Sequence, residues 1–203
     1  ALNGEYNAGS IKATIETAAL DIAQLTGDQR FGNIKCRLAM EAHTDGKAGI
    51  TSGKAKGTVE EMAYRGYTYS NANIDIAYAG DIVSGSLDIQ DPNLRLSIDG
   101  KAGIGRKKSL RAHATLSDFC PSALNLTDKF HGDHFALTME ADAEGTTIDD
   151  FSGTVSLTDI SVFDPMGGKP DAGLENATLS VGRTEDGRKQ LLFSSDFATL
   201  QLL

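Results

Sequence analysis

Strict alternation of apolar and polar residues is the feature of this chain that most narrows its fold. Ile34, Cys36, Leu38, Met40 and Ala42 share one parity, while Lys35, Arg37, Glu41 and His43 take the other. Phe135, Leu137, Met139, Ala141 and Ala143 stand in the same way against Thr138, Glu140, Asp142 and Glu144. A period of two sends successive side chains to opposite sides of an extended backbone, so each run reads as a strand with one dry and one wet face. The rhythm recurs at Ile11-Ala13-Ile15, Ile74-Ile76-Tyr78, Leu87-Ile89, Leu94-Leu96-Ile98, Leu110-Ala112-Ala114-Leu116, Val155-Leu157 and Ala177-Leu179-Val181. Asp45-Gly46, Gly80-Asp81, Asp99-Gly100, Gly103-Ile104-Gly105, Glu144-Gly145 and Asp186-Gly187 stand between the runs and supply the positive-φ residues that hairpins need. Short turns imply antiparallel neighbours. The spacing predicts an all-β antiparallel meander.

The chain also repeats itself. Residues 10–46 lie over residues 109–145 without a gap at a spacing of 99, with nine identities in 37 pairs, where unrelated sequence gives roughly two or three. Leu38, Met40, Glu41, Ala42 and Gly46 fall on Leu137, Met139, Glu140, Ala141 and Gly145. Gly57-Thr58-Val59 recurs as Gly153-Thr154-Val155, and Asn71-Ala72 as Asn176-Ala177. The shifts in spacing place insertions in loops, among them Pro165-Met166-Gly167-Gly168-Lys169-Pro170. We therefore expect two tandem modules, residues 1–105 and 106–203, in one continuous elongated body cut from a longer protein. What repeats is apolar residues and turn glycines, which build a surface, and not a set of reactive side chains.

Each module carries one break in the alternation. Pro121 to Phe130 opens on proline and shows helical spacing at Leu126 and Phe130, and its counterpart is Leu20 to Leu25. A short helix or turn per module is expected, with proline in the first turn, covering one mouth of the sheet.

Composition sets further bounds. Hydrophobic residues make up 40% of the 203, enough to bury a core. A formal charge of −9 argues against nucleic-acid binding, which wants a basic footprint. The one basic cluster, Lys101 with Arg106, Lys107 and Lys108, lies among turn glycines and reads as a solvated hairpin tip, the sharper alternative being a phosphate or lipid-headgroup contact. No apolar run approaches the ~20 residues that span a bilayer. Cys36 aligns with Phe135 and Cys120 with Asp21, so the repeat preserves no partner for either; a disulfide between them stays open. Aromatics are only 6%, tryptophan is absent, and the inward positions hold many alanines. A closed sandwich fills about 10 Å between sheets with bulky side chains. Small inward residues leave room, either for the sheet to curl tightly or for an apolar trough that takes a chain-like ligand.

The run from Ser109 to Phe119, then Leu124-Asn125-Leu126, Phe135 to Ala141 and Asp149 to Leu157 resembles the TamB group of the AsmA-like proteins. Leu192 to Ala198 is also similar to its repeats. The match covers roughly residues 109–203, with 10–100 a fainter copy. The resemblance implies a β-rich half-pipe with a hydrophobic lumen, part of a protein anchored in the inner membrane of a Gram-negative bacterium. Such a protein extends through the periplasm and serves phospholipid transport toward the outer membrane and outer-membrane assembly. On that reading Leu38, Met40, Leu110, Ala112, Ala114, Leu116, Phe135, Leu137, Met139, Val155 and Leu157 line a groove for phospholipid acyl chains. The further partners are flanking repeats of the same protein and outer-membrane assembly proteins.

Enzymatic patterns are weak. His131 and His134 have the spacing of a metal pair, but their aligned positions are Gly32 and Lys35, and exposed loop histidines are the plainer reading. Gly100 to Ser109 fails the spacing of a phosphate-binding loop. Asp142, Glu144, Asp149 and Asp150 lack the ligand order of a calcium loop and read as solvated carboxylates. No nucleophile elbow is present. We expect no catalysis and no cofactor. The alternative function is a structural or adhesive β-repeat of a bacterial surface protein, with the dry face sealed.

Overall fold

The computed structural model describes residues 1–45, 49–147, 150, 152–163 and 175–202. Its first strands are β1 (Leu2–Asn7), β2 (Ser10–Asp21), β3 (Phe31–Thr44), β4 (Ile50–Tyr64), β5 (Tyr67–Ala79) and β6 (Ile82–Asp91). There follow β7 (Leu94–Gly103), β8 (Lys108–Phe119), β9 (His134–Gly145), β10 (Ser152–Phe163), β11 (Ala177–Arg183), β12 (Lys189–Ser195) and β13 (Thr199–Leu202). One short helix, α1 (Ile22–Thr26), joins β2 to β3. The strands stand in chain order in a single open antiparallel sheet. The boundary between the two expected modules falls in the β7–β8 turn, and the sheet runs through it unbroken.

Direct partners in an antiparallel sheet share a face, so the register sorts every strand residue onto one of two surfaces. One row runs Ala13, Met40, Ala55, Ile76, Gly85, Gly100, Ala112, Ala141, Val155, Leu179, Phe193, Leu200. The next on the same face runs Ile15, Leu38, Gly57, Ile74, Leu87, Ile98, Ala114, Met139, Leu157, Ala177. The opposite face carries Lys12, Glu41, Lys54, Ala77, Ser84, Lys101, Arg111, Asp142, Thr154, Ser180. The local alternation of each strand thus adds up to one apolar and one polar surface across the whole sheet.

The open sheet is consistent with a curled half-pipe, and small side chains are more covered on its apolar face than on its polar one. Alanine is a clean probe of this because its side chain is the same on both faces. Ala114, Ala141, Ala143 and Ala177 on the apolar face are buried, while Ala39 and Ala77 on the polar face are exposed. Glycines mark where neighbouring strands fold closest. A Cβ at Gly57 would lie 2.0 Å from the Arg37 carbonyl oxygen, and one at Gly85 would lie 2.2 Å from that of Asp75. Asp99-Gly100, expected as a turn, lies instead inside β7. Gly100 is there because a Cβ would come within 2.5 Å of the Arg111 carbonyl oxygen.

Irregularities recur in β2, β4, β8 and β10: the register shifts between Thr17 and Leu20, around Glu60, around Ser117 and between Thr158 and Ser161. An extra residue moves later side chains to the other face. The apolar pattern changes parity at the same places, from Ile15 to Leu20, Val59 to Met62, Leu116 to Phe119 and Leu157 to Val162. These apolar series therefore stay on one side across the bulges, while Ile82, Phe163 and Leu192 fall on the polar face.

Connections after odd-numbered strands line one lip of the sheet, and those after even-numbered strands line the other. On the second lip α1 is capped by Asp21, whose side chain accepts from the Gln24 amide at 3.2 Å, and ends at Gly27 with φ +75°. Its counterpart in the second module is a series of turns and not a helix, because Asn125 at φ +57° stops it after one turn. This segment folds back along the lip. The Cys120 amide donates to the Asn93 carbonyl at 3.0 Å and Asn125 Nδ2 donates to the Arg65 carbonyl at 3.1 Å, while Leu124 is 0% exposed. Beside it Asp91, 1% exposed, accepts from Tyr67 Oη at 2.5 Å, from the amide and hydroxyl of Ser70, each at 2.9 Å, and from the Asn93 amide at 2.9 Å.

The repeat keeps faces but not pairing. Met40 and Met139 both lie on the apolar face and Glu41 and Glu140 on the polar one. Ala13 pairs with Met40, yet its counterpart Ala112 pairs with Ala141, and Met139 takes Ala114. The second copy is slid by two residues, the smallest shift that preserves parity. The Pro165–Pro170 stretch and Gly46 lie outside the described residues.

Candidate functional site

All eleven residues singled out for the groove share the apolar face. Leu38 and Met40 sit on β3, Leu110, Ala112, Ala114 and Leu116 on β8, Phe135, Leu137 and Met139 on β9, and Val155 and Leu157 on β10. Register joins those on β8, β9 and β10 directly: Leu116 faces Leu137, Ala114 faces Met139, and Met139 faces Leu157. Leu38 and Met40 belong to the same rows, but β4 to β7 separate them from the second group. Ile74, Ile76, Leu87, Ile98, Leu179 and Phe193 complete these rows and were missed as site residues. Their alternation is visible in the sequence; the pairing that brings them together is not.

The rows are short of cover. Among the described residues the strands contact their sheet neighbours and no second sheet packs on them. Large apolar side chains remain open to solvent, Leu110 at 44% and Ile76 at 42%. Small residues carpet the floor between them, at Ala112, Ala141, Gly85 and Gly100. Such a surface offers dispersion contacts and exclusion of water to a flexible hydrocarbon, and has no group that makes or breaks a bond. At the second lip it is walled by aromatics: Phe130 meets Phe135 edge to face at 5.5 Å, and Phe119 lies 6.4 Å from Phe135.

The polar face is a lattice of cross-strand ion pairs. Arg37 reaches Glu16 at 2.7 Å, Lys56 reaches Asp75 at 2.7 Å, Arg111 reaches Asp142 at 3.0 Å, and Glu41 takes Lys54 at 3.0 Å. The Lys54 ammonium, first by its hydrogen bond and then by its charge, holds the Glu41 carboxyl below its usual range. A shallow depression of about 830 Å³ lies on this face among Asp99, Lys101, Arg111, His113, Glu140 and Asp142. Its charges are largely matched within the protein, with His113 Nδ1 2.5 Å from Glu140 Oε1.

The weaker candidates resolve as structural groups. His134 is not an exposed loop histidine: it opens β9, its side chain is 13% exposed, and its Nδ1 lies 2.5 Å from Asp118 Oδ1. It leaves the loop because β9 begins one residue after Asp133, which places its ring beside Phe163 at 5.6 Å. His131 is exposed. Among the described residues no group of three or more His, Cys, Asp or Glu side chains could hold a metal ion. Asp150 accepts from the hydroxyls and amides of Thr146 and Thr147, the Thr146 hydroxyl first among them, and these hold its carboxyl far below the usual range. Glu144 pairs with Lys107 at 2.8 Å, and Asp149 lies outside the described residues. Cys36 and Cys120 are buried free thiols, and burial pushes the Cys36 thiol up, away from reactivity. The basic cluster divides, Lys101 going to the polar face and Lys108 to the apolar-face end of β8.

Fold and site together define a class: an open all-β meander with one apolar surface and one ion-paired polar surface. Compared with protein families, with curated proteins and with solved structures, the chain matches none.

Proposed function

We propose that this chain is a segment of a TamB-like protein whose apolar face is a non-catalytic groove for phospholipid acyl chains. In this reading it lies in the periplasm, as part of a protein anchored in the inner membrane. Flanking repeats extend the groove toward the outer membrane, where it serves lipid delivery and outer-membrane assembly. The observation that carries the reading is the unbroken apolar surface, thirteen strands long, with large side chains such as Leu110 and Ile76 still open to solvent. A sealed structural or adhesive repeat has no use for that exposure. Shielding an acyl chain there is worth about 0.8 kcal/mol for each CH₂ removed from water, and the gain is the same at every position along the rows, which favours passage over capture.

Photo-crosslinkers at Leu137 and Glu140 test this, because the two lie on opposite faces of β9. The first should capture phospholipid and the second should not. Leu137→Arg should obstruct lipid passage, since an unpaired cation on the apolar floor costs several kcal/mol to desolvate; circular dichroism and melting of the variant separate obstruction from unfolding. Equal labelling at both positions, or wild-type lipid delivery by a folded Leu137→Arg protein, would refute the groove.

A further inference from the structure

The connections along the second lip are tied to one another. The Arg65 amide donates to the Arg30 carbonyl at 2.7 Å, Asn125 Nδ2 donates to the Arg65 carbonyl at 3.1 Å, and the Cys120 amide donates to the Asn93 carbonyl at 3.0 Å. The connections after β2, β4, β6 and β8 are joined in this way. The segment from Cys120 to Phe130 reaches furthest, from the end of β8 back to the β4–β5 turn. It is bonded within itself: the amides of Leu124 and Leu126 donate to the Cys120 and Pro121 carbonyls at 3.2 and 3.0 Å, and Ser122 Oγ donates to the Phe130 carbonyl at 3.0 Å. The two largest fully buried side chains, Leu124 and Asp91, lie at this lip. At the far end of the segment Phe130 rests edge to face on Phe135, a groove residue.

Three observations show that this segment is under tension. On a flat sheet the β4–β5 turn would stand about 17 Å from β8, roughly three and a half strand spacings away, whereas a helical turn from Cys120 to Asn125 advances only about 8 Å. With the Asn125 side chain and its 3.1 Å bond added, the reach barely covers the flat distance. The backbone also takes positive φ at both partners of the bond, Arg65 at +50° and Asn125 at +57°, and at Phe130 at +58°. Asparagine tolerates that region, but arginine and phenylalanine adopt it only where their surroundings hold them there. Finally, the strands that the segment spans are ones that glycine lets fold close. A Cβ at Gly85 of β6 would lie 2.2 Å from the Asp75 carbonyl oxygen, and one at Gly100 of β7 would lie 2.5 Å from that of Arg111.

We infer that Cys120 to Phe130 is a strap that keeps the sheet tightly curled between β4 and β9, and that this section of the groove is the one that grips phospholipid acyl chains. The inference rests on the groove reading above and adds a place to it. A curled floor touches an acyl chain on several sides where a flat one touches it on one, so dispersion and the exclusion of water act together there. Asn125 and the Arg65 carbonyl are the catch of the strap.

The native cysteines report on it. The Cys120 thiol is 4% exposed and lies inside the segment, with Sγ 3.7 Å from Ser122 Oγ, while Cys36 on β3 lies outside it and serves as the control. Labelling of each thiol in the purified chain is followed by mass spectrometry. Asn125→Asp keeps the shape and the tolerance of positive φ but loses the donor, and should speed labelling of Cys120 roughly fivefold, the scale of one hydrogen bond, with Cys36 unchanged. Diheptanoyl phosphatidylcholine below its micellar concentration, at about ten times its Kd, should slow Cys120 labelling of the wild type roughly tenfold, because a ligand that binds the strapped state holds it shut. Unchanged Cys120 labelling in Asn125→Asp overturns the strap. If both cysteines speed up together, Asn125→Gly decides, since glycine suits the same φ: acceleration of Cys120 alone upholds the strap, and parallel acceleration overturns it. Phospholipid that binds without slowing Cys120 overturns the grip and leaves the groove standing. Failure of the wild type to bind phospholipid overturns the groove and the grip together, whichever way the lipid-free comparison falls.

Discussion

Two glycines that look alike in the sequence should respond to alanine with opposite signs. Gly57 lies in β4 opposite Leu38, and Gly182 lies in β11 opposite Gln190. A Cβ at Gly57 would sit 2.0 Å from the Arg37 carbonyl oxygen and 2.8 Å from the Leu38 Cα, both backbone atoms of β3. Relief requires β3 to move by roughly 1 Å, which strains the ladder and opens the apolar floor, at the 1–3 kcal/mol typical of overpacking. At Gly182 nothing lies within 4 Å of the added atom. There Gly182→Ala recovers about 0.5–1 kcal/mol of the entropy that glycine loses on folding. We expect Gly57→Ala to destabilise by about 2 kcal/mol and Gly182→Ala to stabilise slightly, as read by urea unfolding with unchanged slope. A Gly57→Ala protein as stable as the wild type would refute the inference that the sheet folds closest at its apolar-face glycines.

Asp91→Asn replaces one acceptor oxygen by a donor facing the groups that Asp91 now satisfies, and should cost about 3 kcal/mol in urea unfolding, whereas Tyr67→Phe removes the bond donated to Asp91 and the one accepted from Asn93 Nδ2 and should cost about 1–2 kcal/mol. His134→Ala should destabilise by about 1–2 kcal/mol through loss of its Asp118 partner, while His131→Ala stays within about 0.5 kcal/mol in the same assay. Thiol titration of the native protein should find Cys36 and Cys120 both slow to react, with two equivalents appearing on unfolding and no disulfide on non-reducing mass analysis.

The all-β antiparallel meander was legible because alternation is written into each strand separately. The face assignments of the eleven groove residues follow from the same local rule, and Met40 and Met139 land together for that reason. What the sequence hides is pairing. The two-residue slide of Met139 from the partner its repeat implies alters no residue's parity, so no pattern within a strand reports it. The bulges at Glu60 and Ser117 have no compositional mark, although Asn71 and Asp159, which adopt positive φ at 53°, belong to the types that tolerate it. Gly100 was read as a turn because a turn glycine and a close-packed glycine look the same until the neighbouring strand is known. His134 was misjudged for a related reason: its partner Asp118 is on β8, sixteen residues away, and only the strand register brings the two together.

Pairing of each strand with none but its sequence neighbours has a mechanical consequence. Among the described residues no strand closes the sheet, and the bond from Asn125 to Arg65 is a short latch across several strands. Tension applied between the two ends therefore has no single weakest lock to break. Strands should peel away from the margins one hairpin at a time, each step releasing about 25 residues and roughly 85 Å of contour. The extension trace should be a stair of small steps, with the latched region around β5 to β8 the last to yield.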